Sequence, residues 1–585
     1  MEASETLATP AIARRLPRDV IHHLYQQCNE NSRFNLSHAC RLWRQALHGH
    51  TEFWTNITLH LRKRDPDLKA AYWLERSGQR PLKIEIHSPW RGGEFSSVDQ
   101  RASAERTIVR LGVVLRGCMD RCQSFSMAIY LRAINILLPI CAGYTPMLNS
   151  LTIDAIDYPS ISASGERPLI PLLAPIDRAV FVSIGSYIPT FTVLGPSVTK
   201  LSVDGGSNTE WTSSDILQVF QSCPNLIECD FNLIGVDELN GPLFNGFVPM
   251  LRLAVLSIAW VRDVEHILNV LRLPALKSIY LKQVDWTTAA MTALWSVFGT
   301  SHALSSVTIT DEEADYDESR NIPAPFHANT LALEAVTFFS ICGNPCARPI
   351  LQYIALPNVE TLDLASAPFD VVHRLILSST NLGSLTLYDV EGVPTHSSRT
   401  PVTLSALKTL LIHDPSPRML DFIHAPQLNS LFITCDSWGP TASLGVSLGA
   451  LVERSMPDLT ALYLSKTDIT DKELMRSLRP LSKLESLTLR ACPTSDAVLR
   501  ALAVPPSPEQ GIEWILPRLK KIDFHGNVGI TPQGVIKLFT SRDSMPESRI
   551  KGTVSFVRNP GDQDAEALSH FRGSLTVKSS EWFTT

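Results

Sequence analysis

The sequence lacks most of the signatures that announce chemistry. It has no G-x-x-x-x-G-K-[ST], no G-x-G-x-x-G and no H-E-x-x-H. The phosphate-cradling loop, the dinucleotide fingerprint and the helical metalloprotease pair are therefore without a carrier. No C-x-x-C occurs, and the eleven cysteines (28, 40, 118, 122, 141, 223, 229, 342, 346, 435 and 492) are odd in number and scattered. That pattern suggests neither a disulfide framework nor a ribbon-type zinc site, and reads as thiols in a reducing compartment. Cys118/Cys122 and Cys342/Cys346 have a spacing that zinc sites use, but no matching His pair follows either, so no metal and no cofactor is expected. Long apolar runs are missing too. "AINILLPICAGY" (133–144) is the most apolar stretch, too short and proline-broken to span a bilayer. The N-terminus carries Glu2 and Glu5 without an apolar run, a poor signal peptide. Excess positive charge is absent as well. Fifty-two Lys and Arg against 58 Asp and Glu leave a net charge of −6, which gives no global pull toward nucleic acid or anionic membranes. A soluble protein of the cytoplasm or nucleus is the expectation.

What is present is length and repetition. At 585 residues and 44% hydrophobic content, the chain calls for several domains or an elongated repeat rather than one core. L-x-x-L-x-L, with aliphatic substitutes, recurs. It reads "LNSLTI" (148–153), "VTKLSV" (198–203), "LIECDF" (226–231), "LAVLSI" (253–258), "LKSIYL" (276–281), "LSSVTI" (304–309) and "LEAVTF" (333–338). It continues as "VETLDL" (359–364), "LGSLTL" (382–387), "LKTLLI" (407–412), "LNSLFI" (428–433), "LTALYL" (459–464), "LESLTL" (484–489) and "LKKIDF" (519–524). From residue 198 the starts lie 21 to 35 residues apart, most in or near the period of leucine-rich repeats. Turns such as "CPNL", "LPAL" and "MPDL" precede many of them, with proline marking where the strand begins. Helical pieces follow: 214–223, 289–298, 471–480, 495–503 and 531–539. Such strand–helix units bury their apolar faces only by stacking. Before residue 145 the pattern is vague, with "PLKIEI" (81–86) and "SFSMAI" (124–129) as degenerate strands.

The first sixty residues read differently. "LPRDVIHHLYQQC" (16–28) has proline in the first turn of a helix. Asn35 can cap a second helix, in which Leu36, Ala39, Cys40, Trp43 and Leu47 form one stripe. Helices this short bury little between themselves, so the module needs a partner. L-P-x-D-V, then L-x-x-A-C-R-x-W-R, then F-W resembles the F-box, in a form similar to F-box proteins abundant in mushroom-forming fungi. The last repeats, 459–478 and 484–502, resemble the cysteine-containing leucine-rich repeats found behind many F-boxes, with Cys492 at the cysteine position. The resemblance implies an α/β fold, with a three-helix F-box followed by a leucine-rich-repeat solenoid of curved parallel sheet inside and helices outside. The implied divisions are 1–13 flexible, 14–60 F-box, 61–144 linker and degenerate repeats, 145–575 solenoid and 576–585 tail. It also implies docking on a Skp1-like adaptor, and through it on a cullin, by Leu16, Pro17, Asp19, Val20, Leu24, Leu36, Cys40, Trp43 and Trp54. An unknown protein substrate would complete the set of partners, with no nucleic acid and no membrane.

Strand alternation assigns the substrate side. The residues beside the core leucines point away from the core, which places Tyr280, Lys282, Phe339, Tyr388, His413, Phe432, Tyr463, Arg490, Asp523 and His525 on the concave sheet. Aromatics and Arg are the usual anchors of protein recognition. "DEEADYDE" (311–318), within an insertion at 311–330, holds six acidic residues in eight positions and reads as a solvated loop. One enzyme-like string remains, "GVSLG" (445–449) around Ser447. It sits between two repeat strands and lacks the strand before it that a nucleophile elbow requires. The expectation is therefore a non-catalytic substrate receptor of a ubiquitin ligase, the alternative being an interaction scaffold without ligase recruitment.

Overall fold

A computed structural model describes residues 50–88, 98–156, 169–205, 212–233, 246–261, 263–310, 329–343, 348–390, 392, 400–413, 417–435, 444–505, 514–545 and 548–578, with positions 20, 23, 27 and 44 before them. The chain divides into two compact units, Met1–Leu276 and Lys277–Thr585. Each is built on a ladder of short parallel strands.

In the first unit the ladder strands are β1 (Asn56–His60), β2 (Leu82–His87), β3 (Cys122–Ile129), β4 (Ser150–Ala155), β5 (Val180–Gly185), β6 (Val198–Asp204), β7 (Glu228–Asn232) and β8 (Val255–Ala259). Each pairs in parallel with the next. The motif sets the register. Its fourth and sixth positions fall on one face of a strand, so two apolar rows stack across the ladder. Ile57, Ile84, Phe125, Leu151, Val182, Leu201, Cys229 and Leu256 make one buried row, and Leu59, Ile86, Met127, Ile153, Ile184, Val203, Phe231 and Ile258 make the other. A parallel pair cannot be closed by a tight turn, so the chain crosses outside the ladder between strands. Helices α1 (Pro66–Ser77), α2 (Val98–Arg116), α3 (Leu131–Ile140) and α4 (Ser213–Ser222) lie in these crossings, and the single turn α5 (Glu265–Leu268) follows β8.

The second unit repeats the plan with β9 (Ser278–Lys282), β10 (Ser306–Thr310), β11 (Phe338–Cys342), β12 (Thr361–Ala365), β13 (Ser384–Tyr388), β14 (Thr409–His413), β15 (Ser430–Thr434), β16 (Ala461–Ser465), β17 (Ser486–Arg490), β18 (Lys521–His525), β19 (Lys551–Ser555) and β20 (Leu575–Lys578). All neighbours are parallel. Its crossings carry α6 (Thr288–Thr300), α7 (Arg348–Leu351), α8 (Phe369–Ser378), α9 (Leu444–Ser455), α10 (Asp471–Leu478), α11 (Asp496–Leu502), α12 (Pro532–Asp543) and α13 (Asp562–Ser569). Thr287, Thr470, Ser495 and Thr531 cap α6, α10, α11 and α12 with their hydroxyls, as short side chains with an oxygen do at helix starts.

Several expectations need correcting. Helices do not fill every crossing. Among the described residues five pairs of two-residue strands lie outside the main ladder: Gly143–Tyr144 with Leu172–Leu173, Leu169–Ile170 with Thr190–Phe191, Val248–Pro249 with Leu271–Arg272, Leu331–Ala332 with Ile354–Ala355, and Val402–Thr403 with Ile423–His424. The strand set is also longer than the motif count. "AVFVSI" (179–184) is a repeat without a leucine, and β19 and β20 follow the last motif, so the tail boundary at 576 falls inside a strand. At the other end the ladder begins at Asn56, inside the span given to the F-box. Finally, the repeat read as "LEAVTF" is out of register by three. Phe338 pairs with Ser306 and Phe339 with Val307, so the working motif is Val336-x-x-Phe339-x-Ile341, and all three are buried.

Candidate functional site

Of the F-box positions, Leu16, Pro17, Asp19, Leu24, Leu36, Cys40 and Trp43 lie outside the described residues; Val20 is helical and exposed. Trp54 has a definite place. It ends a short 3-10 turn before β1 and is 5% exposed. Its ring meets Trp73 of α1 edge-on at 5.2 Å and Tyr72 at 5.7 Å. Counting back from Ile57 and Leu59, Trp54 takes the first motif position of "WTNITL" (54–59), where other repeats carry leucine. Expected on the adaptor-docking face, Trp54 instead packs into a local core with α1. A tryptophan in a leucine slot hides a repeat from a leucine count.

Most of the acidic insertion, 311–328, lies outside the described residues. Ser447 does not stand at a strand-to-helix turn. It is inside α9 and 2% exposed. A Cβ on Gly445 would stand 2.7 Å from the Cβ of Glu473 on α10. The two glycines of the G-x-S-x-G string are on the side of α9 that meets α10, and Gly449 lies against Arg476 and Ser477. The requirement they meet is packing.

On the second unit's ladder, buried and half-exposed residues alternate along nearly every strand. Parallel register lines up the outward positions. One row runs Tyr280, Thr308, Ser340, Asp363, Thr386, Leu411, Phe432, Tyr463, Thr488, Asp523. The next runs from Lys282 through Thr310 and Cys342, and further along through Tyr388, His413, Thr434, Ser465, Arg490 and His525. Nine of the ten residues assigned to this face are on it. Phe339 is not, because the three-residue slip turns it into the core. The true outward positions of its strand are Phe338, Ser340 and Cys342. Cys342 was legible only as a cysteine of no assigned role, and it surfaces once the strand is placed correctly.

The aromatics form pairs between adjacent strands. Tyr388 and His413 stack at 4.4 Å with planes 9° apart, and Phe432 and Tyr463 lie 6.0 Å apart. The Arg490 guanidinium stands 5.5 Å from the Tyr463 ring centroid and donates to Asp523 Oδ2 at 2.6 Å. That hydrogen bond raises the Arg490 pKa further above its ordinary value. The Tyr280 hydroxyl lies 3.2 Å from Thr310 Oγ1. Desolvation raises the Asp363 and Tyr388 pKa values and lowers that of His525. Arg490 and Lys578 act with burial on His525, and Asp523 opposes them.

Cys342 and His413 do not form a nucleophile–base pair on this face. The Cys342 thiol is pushed up by burial, away from a reactive thiolate. His413 is three strands along from Cys342, about 14 Å at the usual strand spacing, far beyond hydrogen-bond reach. Among the described residues no group of three or more His, Cys, Asp or Glu is placed to hold a metal ion, and no helix is long and apolar enough to cross a membrane. Comparison of the chain with models of known protein families and with curated proteins found no match.

Proposed function

We propose that this chain is a substrate receptor of a Skp1–cullin–F-box type ubiquitin ligase. Its N-terminal helices dock on the Skp1-like adaptor, and the leucine-rich repeats present a protein substrate. The observation that carries the recognition half is the cluster of Tyr388, His413, Phe432, Tyr463 and Arg490 in two neighbouring outward rows on adjoining strands. Large aromatics are costly to leave half-wet on a solvated sheet, and with Arg they supply most of the energy in protein interfaces. The ligase half is supported by the ordered motif L-P-x-D-V, A-C-R-x-W-R and F-W. The receptor performs no bond chemistry in this reading. It raises the effective concentration of substrate lysines near the ubiquitin donor. Such a protein works in the cytoplasm or nucleus.

The test is a titration of the purified full-length chain against Skp1, beside a variant with Leu16→Ala, Pro17→Ala and Trp43→Ala. Trp54 is left intact because its ring holds the first ladder strand. Binding at about micromolar affinity or tighter, on the scale where 1 μM corresponds to about 8 kcal/mol, and its loss in the variant, is the expected result. No binding by the folded protein removes the ligase role and leaves an interaction scaffold.

A further inference from the structure

The outward face of the second unit changes character toward β20. Lys521 and Lys551 are register partners on β18 and β19, and both are exposed. Like charges set directly opposite across a ladder oppose each other. Neither lysine has an ion-pair partner among the described residues, because Glu485 is taken by Lys520 and Asp523 by Arg490. Two outward rows over, beyond the row of Asp523, Thr553 and Thr576, Arg490, His525, Ser555 and Lys578 follow each other across β17 to β20. His525 is held below its ordinary pKa chiefly by burial; Asp523 opposes that, and Arg490 and Lys578 press in the same direction as burial. On the near side the patch runs directly into Phe432 and Tyr463, with Arg490 over the Tyr463 ring as the joint.

We infer that this surface receives an extended segment of a partner protein that is acidic in one half and carries large apolar side chains in the other. The acidic half lies over Lys521, Lys551 and Lys578, and the apolar half over Phe432 and Tyr463. The inference rests on the reading of this face as the substrate side and adds the chemistry of what it takes. Five strand spacings separate β15 from β20, about 24 Å, the reach of roughly seven extended residues. Charge complementarity decides the polar half. Unpaired lysines held side by side are relieved by a carboxylate or phosphate between them, and truncating or reversing such a contact changes both affinity and salt dependence. Nucleic acid is the poorer occupant. The cationic patch is a few side chains on a chain of net charge −6, whereas nucleic-acid affinity is built on many phosphate contacts.

The test uses the full-length protein and fluorescein-labelled peptides: one acidic in one half with Leu and Phe in the other, and one with Lys in place of each acid. A labelled oligouridylate is the third probe. Lys521→Glu with Lys551→Glu is the diagnostic variant, and both side chains are exposed, so the fold is spared. The expected result is binding of the acidic peptide, at least about tenfold weaker in the double charge reversal, and weakened as salt shortens the screening length from about 10 Å at 0.1 M toward 3 Å at 1 M. The inference is overturned if the acidic peptide fails to bind or binds no better than its lysine counterpart. It is equally overturned if the charge reversal leaves binding unchanged, or if the oligouridylate binds more tightly. If the lysine counterpart binds and Tyr463→Ala abolishes it, the face still receives a partner and only the acidic partner falls. If the acidic peptide binds as expected while Skp1 does not, the inference stands and the ligase role falls.

Discussion

Among the described residues of the second unit Arg542 is the most deeply buried charge, with no exposed surface. It lies in the last turn of α12 and donates to the carbonyls of Leu502, Leu516 and Ile515 at 3.1, 3.2 and 2.7 Å, with Trp514 4.1 Å from its guanidinium. Burial pulls its pKa down to about 10, so it stays charged at neutral pH. Arg454 at the end of α9 bonds the carbonyls of Ile423 and Leu420, and Arg374 on α8 those of Ile354 and Leu351. The device repeats because a crossing that ends in a turn leaves carbonyls without donors, and a buried carbonyl left unpaired is costly. The guanidinium supplies several donors in one plane. Arg542→Met keeps much of the bulk and removes the donors, which predicts a loss in urea unfolding of about 1–3 kcal/mol for each carbonyl left buried and unpaired. Arg490→Met breaks an ion pair whose arginine is 46% exposed, and the same measurement should move by less than about 1 kcal/mol. Equal losses in the two variants would show that carbonyl capping is not what Arg542 contributes.

Elements are positioned by contacts of the same local kind, and these decide what the sequence discloses. Thr470 caps α10 in a reciprocal box with Glu473. Asp471 accepts the backbone N–H of Ser495 at 3.0 Å, Ser495 caps α11, and Asp496 accepts the N–H of Thr531, the cap of α12, at 2.9 Å. Each helix start is therefore fastened to the next. Caps and periodicity were legible because each is written in a few adjacent residues. The register of β11 was not, because Leu333, Val336, Phe338, Phe339 and Ile341 satisfy the pattern in two phases, and only pairing with β10 selects one. The repeat at Val180–Gly185 escaped because its core residues are Val180, Val182 and Ile184, with no leucine. The G-x-S-x-G string misled for the opposite reason, since spacing alone does not distinguish a catalytic turn from a close helix crossing. That crossing yields a paired prediction. Gly445→Ala drives a methyl into Glu473 and disturbs its box with Thr470, costing about 1–3 kcal/mol. Gly449→Ala meets its nearest neighbour at 3.8 Å and gains helix propensity of up to about 1 kcal/mol. Thermal unfolding of the two variants should shift in opposite directions.

At the scale of each whole unit, a ladder differs from a globular core in one respect. Every strand of the second unit pairs only with the strands beside it, so its stability is a sum of units and nearest-neighbour interfaces. The sequence disclosed this architecture because the repeat is a property of many residues at once, and errors in single repeats do not cancel it. Its outward face was disclosed nearly as well, because alternation along a strand needs only the core positions to be known. The lysines of β18 to β20 were not singled out, because Lys551 and Lys578 lie on strands that carry no complete motif. Leu487 sits at the centre of the buried row, between Leu462 and Ile522, and is fully buried. Leu487→Ala should cost about 2–5 kcal/mol. Where that cost falls distinguishes the two kinds of core. In a ladder, hydrogen exchange should accelerate in Ala461–Ser465, Ser486–Arg490 and Lys521–His525 and fade over the next strands, with Ser278–Lys282 unchanged. A single cooperative core would lose protection evenly from β9 to β20, since every amide would then exchange through one global opening. The local pattern would also place the variant's damage under Tyr463, Arg490 and Asp523, so a partner held on that face should be released while the far strands stay folded.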